Sequence, residues 1–185
     1  LGQSDGSFQE RTITSVQGEI KAVDGADFNN DDWRDLAVTS GPASGQTSQR
    51  TIEVFLNNKD GTFSSAWQSD ALDGSGLRVA DMDDDGNKDL IMVDPEDADI
   101  EVFLGEGTGQ FAAGRLTNLP EGSNVSHVRT RDVGNDGVLD VVLSYWVGGS
   151  PPTGHTLQVH PGSANGTFQT SPSWQDAGNW TFFSE

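Results

Sequence analysis

Cysteine is absent from this 185-residue chain, which excludes disulfides, thiolate zinc sites, iron–sulfur clusters and a cysteine nucleophile. Basic residues are scarce: 10 Lys plus Arg stand against 29 Asp plus Glu, a formal net charge of −19. Such an excess repels phosphate backbones and anionic lipid surfaces, so nucleic acid is not an expected partner. No apolar run approaches the ~18 residues of a membrane span, so membrane insertion is not expected either. Hydrophobic residues reach only 33%, yet 23 glycines, five Trp and nine Phe accompany them. That mixture suits a packed, turn-rich domain better than a disordered acidic tail.

The chain is built on internal repeats. Gly-x-Phe follows a short polar turn four times, ending at Phe8, Phe63, Phe111 and Phe168. Three of these turns carry Asp-Gly or Asn-Gly, the pairs that best supply the positive φ of a tight hairpin. An acidic loop alternates with them, spanning 27–35, 81–89 and 132–140, with 54 and then 51 residues between successive loop starts. Between these markers lie short runs rich in β-branched and aromatic residues, and no helix-period stretch. In the second unit they are Leu77-Arg78-Val79-Ala80, Leu90-Ile91-Met92-Val93, Ile100-Glu101-Val102-Phe103-Leu104 and a last strand around Phe111 to Leu116.

Four strands in about 50 residues is the size of one propeller blade. The expected fold class is all-β, with β-propeller blades of four antiparallel strands. Leu1-Gly2 aligns with Leu56-Asn57 and Leu104-Gly105, so residues 1–16 read as the end of a preceding blade. Blades are expected at 17–72, 73–120 and 121–176. The next acidic loop is due about 18–21 residues after Phe168 by extension of the repeat. Residues 177–185, with Trp180 onward, therefore read as the first strand of a following blade. The chain is expected to be a segment of a propeller of about six to eight blades.

The second loop reads Asp81-Met82-Asp83-Asp84-Asp85-Gly86-Asn87-Lys88-Asp89. Carboxylates at its first, third, fifth and ninth positions, with the Asn87 carbonyl, form a hard oxygen set that suits Ca²⁺. Mg²⁺ prefers fewer protein ligands because it dehydrates reluctantly. An EF-hand opens on the same pattern but needs Glu at position twelve. Met92, Val38 and Leu143 stand there, and strands flank the loops, so that motif is rejected.

The pattern D-x-D-x-D-G-x-x-D-L between two strands resembles the FG-GAP or VCBS repeat of the integrin α-subunit propeller and of many secreted proteins. Val38-Thr39-Ser40-Gly41-Pro42 resembles the Gly-Ala-Pro segment that follows the loop in that family. The resemblance implies blades with Ca²⁺ held between first and second strands. It implies ligands Asp27, Asn29, Asp31, the Trp33 carbonyl and Asp35 in the first loop. It implies Asp81, Asp83, Asp85, the Asn87 carbonyl and Asp89 in the second. In the third it implies Asp132, Asp136, the Val138 carbonyl and Asp140, with Gly134 where a side-chain ligand is due. Asp32 replaces the usual glycine of the first loop, and Asp tolerates positive φ. Two sites and a weaker third are expected. An ion so fully ligated acts as a structural clamp, whereas catalytic ions keep an open position.

No metal-spaced histidine pair, nucleophile elbow or phosphate loop occurs, so enzymatic activity is not expected. His127 and His160 are expected to pack or hydrogen-bond. The connection from Ser144 to His155 carries Tyr145 and Trp146; these rings either contact a ligand or fill the space between blades. Asn124, Asn165 and Asn179 open N-glycosylation patterns, relevant only in a eukaryotic source. The functional reading is an extracellular, secreted or cell-surface module for adhesion or recognition of a protein or glycan. Its rivals are a non-catalytic part of a polysaccharide-degrading enzyme, and a structural subunit self-associating through exposed blade edges.

Overall fold

The computed structural model describes residues 5–7, 16, 18–42, 50–71, 76–94, 99–118, 124–147, 154–172 and 174–176. The readings placed on residues 1–2, on Phe8 and on 177–185 lie outside them. The described chain is all β and contains no helix long and apolar enough to cross a membrane. The first sheet is β1 (Glu19–Asp24), β2 (Leu36–Gly41), β3 (Arg50–Asn57) and β4 (Phe63–Ala71), hydrogen-bonded in that order. The second is β5 (Gly76–Ala80), β6 (Asp89–Val93), β7 (Asp99–Phe103) and β8 (Arg115–Asn118), again in order. The third joins β9 (Asn124–Arg131), β10 (Asp140–Val147), β11 (Gly154–His160) and β14 (Trp174–Asp176), with a small ribbon of β12 (Gly162–Ser163) and β13 (Thr167–Phe168) before its last strand. All pairings are antiparallel. These are meandering four-stranded sheets, the form of propeller blades.

The sequence of β6 shows why the sheets stand side by side. A half-exposed strand alternates apolar and polar residues, whereas a strand covered on both faces is apolar throughout. Asp89-Leu90-Ile91-Met92-Val93 is buried at every position. Leu90 and Met92 face the first sheet, in a cluster with Ala37, Ile52 and Val54. Ile91 and Val93 face the third, in a cluster with Val141 and Leu143. The middle blade is thus the shared wall of two cores.

Each interface is completed by two residues from the repeated markers. Phe28, second in the first acidic loop, packs edge-on against Phe111 of the next sheet's Gly-x-Phe turn, with ring centroids 5.6 Å apart. Trp67 of β4 adds a further ring 4.9 Å from Phe111. One blade further on, Met82 and Phe168 occupy the same two places in the other core. Phe28 and Met82 are buried, while their counterpart Val133, with no described blade beside it, is 55% exposed.

Two strand assignments change. Phe111 does not begin the last strand of the second sheet; it makes an isolated bridge to Gly105, and β8 starts at Arg115. Its ring packs toward Phe28 and Trp67, and the Ala112 N–H bonds the Leu104 carbonyl at 2.8 Å before the regular ladder begins. In the third unit, β10 runs on through Val147, paired with β9 and β11 on its two sides. Tyr145 and Trp146 therefore belong to a strand in the sheet, and the connection to β11 begins at residue 148.

Replacing the Phe111 ring leaves a hole between two blades that neither can fill alone. Phe111→Ala is expected to lower unfolding free energy by about 3–5 kcal/mol, measured by urea denaturation. A loss below about 1 kcal/mol would contradict the interface described above.

Candidate metal centre

The three acidic loops share one backbone path. Residues at position four are left-handed in each: Asn30 at φ 57°, Asp84 at 59° and Asn135 at 55°. Position six is left-handed too, at Asp32 (67°), Gly86 (90°) and Gly137 (88°). Asn and Asp are the non-glycine residues that best tolerate this region. Asp32 thus fills the glycine position as expected, while the fixed Asx at position four is a signal that the ligand pattern overlooked.

Carboxylates tie the loop to itself. The first aspartate accepts N–H groups from the loop's far side: Asp27 from Asp31 (3.0 Å) and Asp32 (2.7 Å), Asp81 from Gly86 (3.1 Å), and Asp132 from Asp136 (3.1 Å) and Gly137 (3.0 Å). The fifth accepts the N–H two residues on: Asp31 from Trp33, Asp85 from Asn87 and Asp136 from Val138.

The ninth aspartate is buried and reaches furthest. One oxygen of Asp89 accepts the Met82 N–H (2.6 Å) at the loop's start, and the other accepts the Gly105 N–H (2.8 Å) beyond β7. Asp35 does the same with Phe28 (2.8 Å) and Asn57 (2.9 Å). Asp140 bonds Val133 (2.9 Å) and Gly162 (3.1 Å). Burial pushes the Asp89 carboxyl up to about 6, against the pull of its two N–H bonds and with added repulsion from Asp83 and Asp81. Asp35 is raised for the same leading reason, with Asp31 and Asp27 repelling it. Asp83 is raised by desolvation and then by the charge of Asp85.

The second loop has the donor set a cation needs. Carboxylate oxygens of Asp81, Asp83 and Asp89 lie within 4.8 Å of one another. Oδ1 of Asp81 and Oδ1 of Asp83 are buried with no hydrogen-bond partner. An unpartnered buried carboxylate oxygen is costly, and a cation between them removes that cost. Ca²⁺ fits this oxygen-only set. The first loop carries one such orphan, Asn29 Oδ1, on the predicted third ligand. There Asp31 also takes a bond from the Asn29 amide (3.1 Å) and lies 3.3 Å from the Lys59 ammonium. In the third loop Asp132 and Asp136 stand in solvent and Gly134 offers no side chain. The three loops therefore grade from a closed cluster to an open one.

Two further placements matter. Asn30 of the first loop donates from Nδ2 to Asn87 Oδ1 of the second (2.9 Å), which links the loops across the blade boundary. Ligand spacing within one loop gave no hint of this. His160 is buried beside the Gln169 carbonyl at 2.9 Å, a packed and hydrogen-bonded histidine. Tyr145 and Trp146, in β10 of the third sheet, belong to a different sheet from the second loop. FG-GAP-like repeats match residues 27–92 and 81–143, each match running from one acidic loop through the second strand of the next unit. No curated protein matches the chain.

The raised carboxyls predict an inverted acid response. In calcium-free buffer, folded Asp89 takes up its proton near pH 6, while an unfolded Asp does so near ~3.9. Between those values Asp89 makes the folded state hold more protons, so its contribution to stability rises as pH falls from 7 toward 5. Buried His160, its charged form disfavoured by desolvation, opposes this below pH ~6.5. Asp31 is held low, because the Trp33 N–H, the Asn29 amide and Lys59 outweigh its desolvation. It opposes this trend only below about pH 4. A cation held by this cluster would need ionised carboxylates, so any stabilisation by added calcium would shrink over the same interval. Melting curves from pH 7.5 to 5, with and without calcium, should converge. Parallel curves would contradict the assignment.

Proposed function

Because the chain belongs to the FG-GAP-like repeat family, we propose that it is a calcium-clamped β-propeller module for extracellular recognition. The observation that carries this reading is the pair of orphaned, buried oxygens on Asp81 and Asp83 beside Asp89. Ca²⁺ binds the loop 81–89 most tightly in this proposal, through Asp81, Asp83, Asp85, the Asn87 carbonyl and Asp89. Loop 27–35 is a second site through Asp27, Asn29, Asp31, the Trp33 carbonyl and Asp35. Loop 132–140 binds more weakly, because Gly134 leaves a position for water.

The ion's role is mechanical. A loop with four or more carboxylates is self-repelling, and the cation converts that repulsion into cross-links between the ends of adjacent strands. Millimolar extracellular calcium keeps sites of modest affinity filled, whereas submicromolar calcium does not. A chain without cysteine gains from the cation the rigidity that other secreted domains draw from disulfides. The rigid blades then present loops to a protein or glycan partner, in adhesion or recognition and not in catalysis.

Calcium at 100 times its dissociation constant stabilises the fold by ~2.7 kcal/mol per site, or about 5–10 °C in melting temperature for a chain of this size. Differential scanning calorimetry in calcium and in EGTA is expected to show a shift of that order. Asp83→Ala should remove most of the second loop's share. An identical melting temperature in both buffers would sink the proposal.

A further inference from the structure

Beside the first acidic loop, a cleft of about 460 Å³ opens at the boundary between the first two sheets. Among the described residues its walls include Asp24, Asp32, Trp33 and Arg34 from the first blade, and Val79 and Lys88 from the second. That volume lies within the ~300–1,000 Å³ of small-molecule sites, which also favour boundaries between packed units. From this cleft we infer a saccharide-binding site, with Trp33 as its platform. The inference rests on the recognition role proposed above and supplies its site and ligand class.

Trp33 is 45% exposed, although an indole gains much from burial and is favoured where it contacts a partner. The acidic loop fixes the backbone that carries it, since the Trp33 main-chain N–H donates to Asp31 Oδ1 at 2.9 Å. The equivalent seventh residues, Asn87 and Val138, are not aromatic. Arg34 is also fixed, its Nη1 donating to the Gly25 carbonyl at 2.8 Å. The Arg34 donor and the backbone bearing the indole are therefore preorganised, which lowers the entropic cost of binding.

The charges around the ring select the ligand. With Asp27 assigned to the cation, the remaining Asp24 and Asp32 balance Arg34 and Lys88. Charges that cancel within the cleft give an ion of neither sign a preferred seat against its walls. Instead it offers carboxylate acceptors and cationic donors around an aromatic face. A sugar ring matches this set: its C–H face stacks on the indole, and its hydroxyls both donate and accept. A lone cationic side chain would leave Arg34 and Lys88 facing a like charge.

The test is saturation-transfer NMR and calorimetry on the calcium-loaded chain. The panel is glucose, galactose, mannose, N-acetylglucosamine and their disaccharides, with arginine amide as the cationic comparison. At least one sugar is expected to bind. Trp33→Ala should weaken it at least tenfold, and Trp33→Phe by less than Trp33→Ala. Asp24→Asn, which keeps an acceptor toward Gly25, should weaken it threefold or more. No binding by any sugar, binding indifferent to Trp33→Ala, or binding of arginine amide alone would overturn the inference. Melting shifts with calcium in the same samples report separately on the calcium-clamped module, so either reading can fail without the other.

Discussion

One buried carboxylate per blade holds the repeat together. The ninth aspartate of each acidic loop, seen in Asp35, Asp89 and Asp140, places one oxygen on the loop's own start and the other on the backbone at or just beyond the end of the third strand. A carboxylate is the side chain that can accept several N–H bonds at once in a small space. It closes the acidic loop, ties it to the Gly-x-Phe turn and orients the second residue of the loop toward the neighbouring blade. The cost of that arrangement is desolvation of a charge close to other charges, seen in the upward displacement of the Asp89 carboxyl.

That cost links the fold to the cation. Twelve of the 29 acidic residues lie in the three loops, where their mutual repulsion opposes folding. In the second loop the repulsion is concentrated between Asp81, Asp83 and Asp89, with two oxygens left unpartnered. A divalent ion held there would satisfy the orphans and offset the repulsion together. The cross-blade bond between Asn30 and Asn87 places two such loops in mechanical contact. Phe28, Phe111 and Trp67 continue that contact as packing. The blade boundary is thus where electrostatics and hydrophobic burial meet.

Much of this was legible in the sequence because a repeat repeats its reasons. Three loops in register, each followed by an apolar strand, announced the blades, and the β-strand runs fell within one or two residues at Leu77–Ala80 and Leu90–Val93. The left-handed residue at position six was readable from Gly86 and Gly137, and from the tolerance of Asp32. Other features were hidden because they depend on what lies across a boundary. Phe111, just ahead of β8, packs on a partner 83 positions earlier, Phe28. Tyr145 and Trp146 were read as part of the connection from Ser144 to His155, whereas pairing on both sides of β10 carries the strand past them. Trp33 was read only for its carbonyl, because spacing reports backbone ligands and is silent about where an exposed ring lies.

The central claim is that a cation occupies the acidic loops in graded fashion, with loop 81–89 foremost. Amide-resolved NMR during a calcium titration tests this without altering the chain. The account predicts that amides of 81–89 and of Gly105 shift first, those of 27–35 follow, and those of 132–140 need the highest calcium. Left-handed Asp84 and Gly86 should be among the most displaced. Amides of loop 81–89 that stay fixed up to millimolar calcium would contradict it.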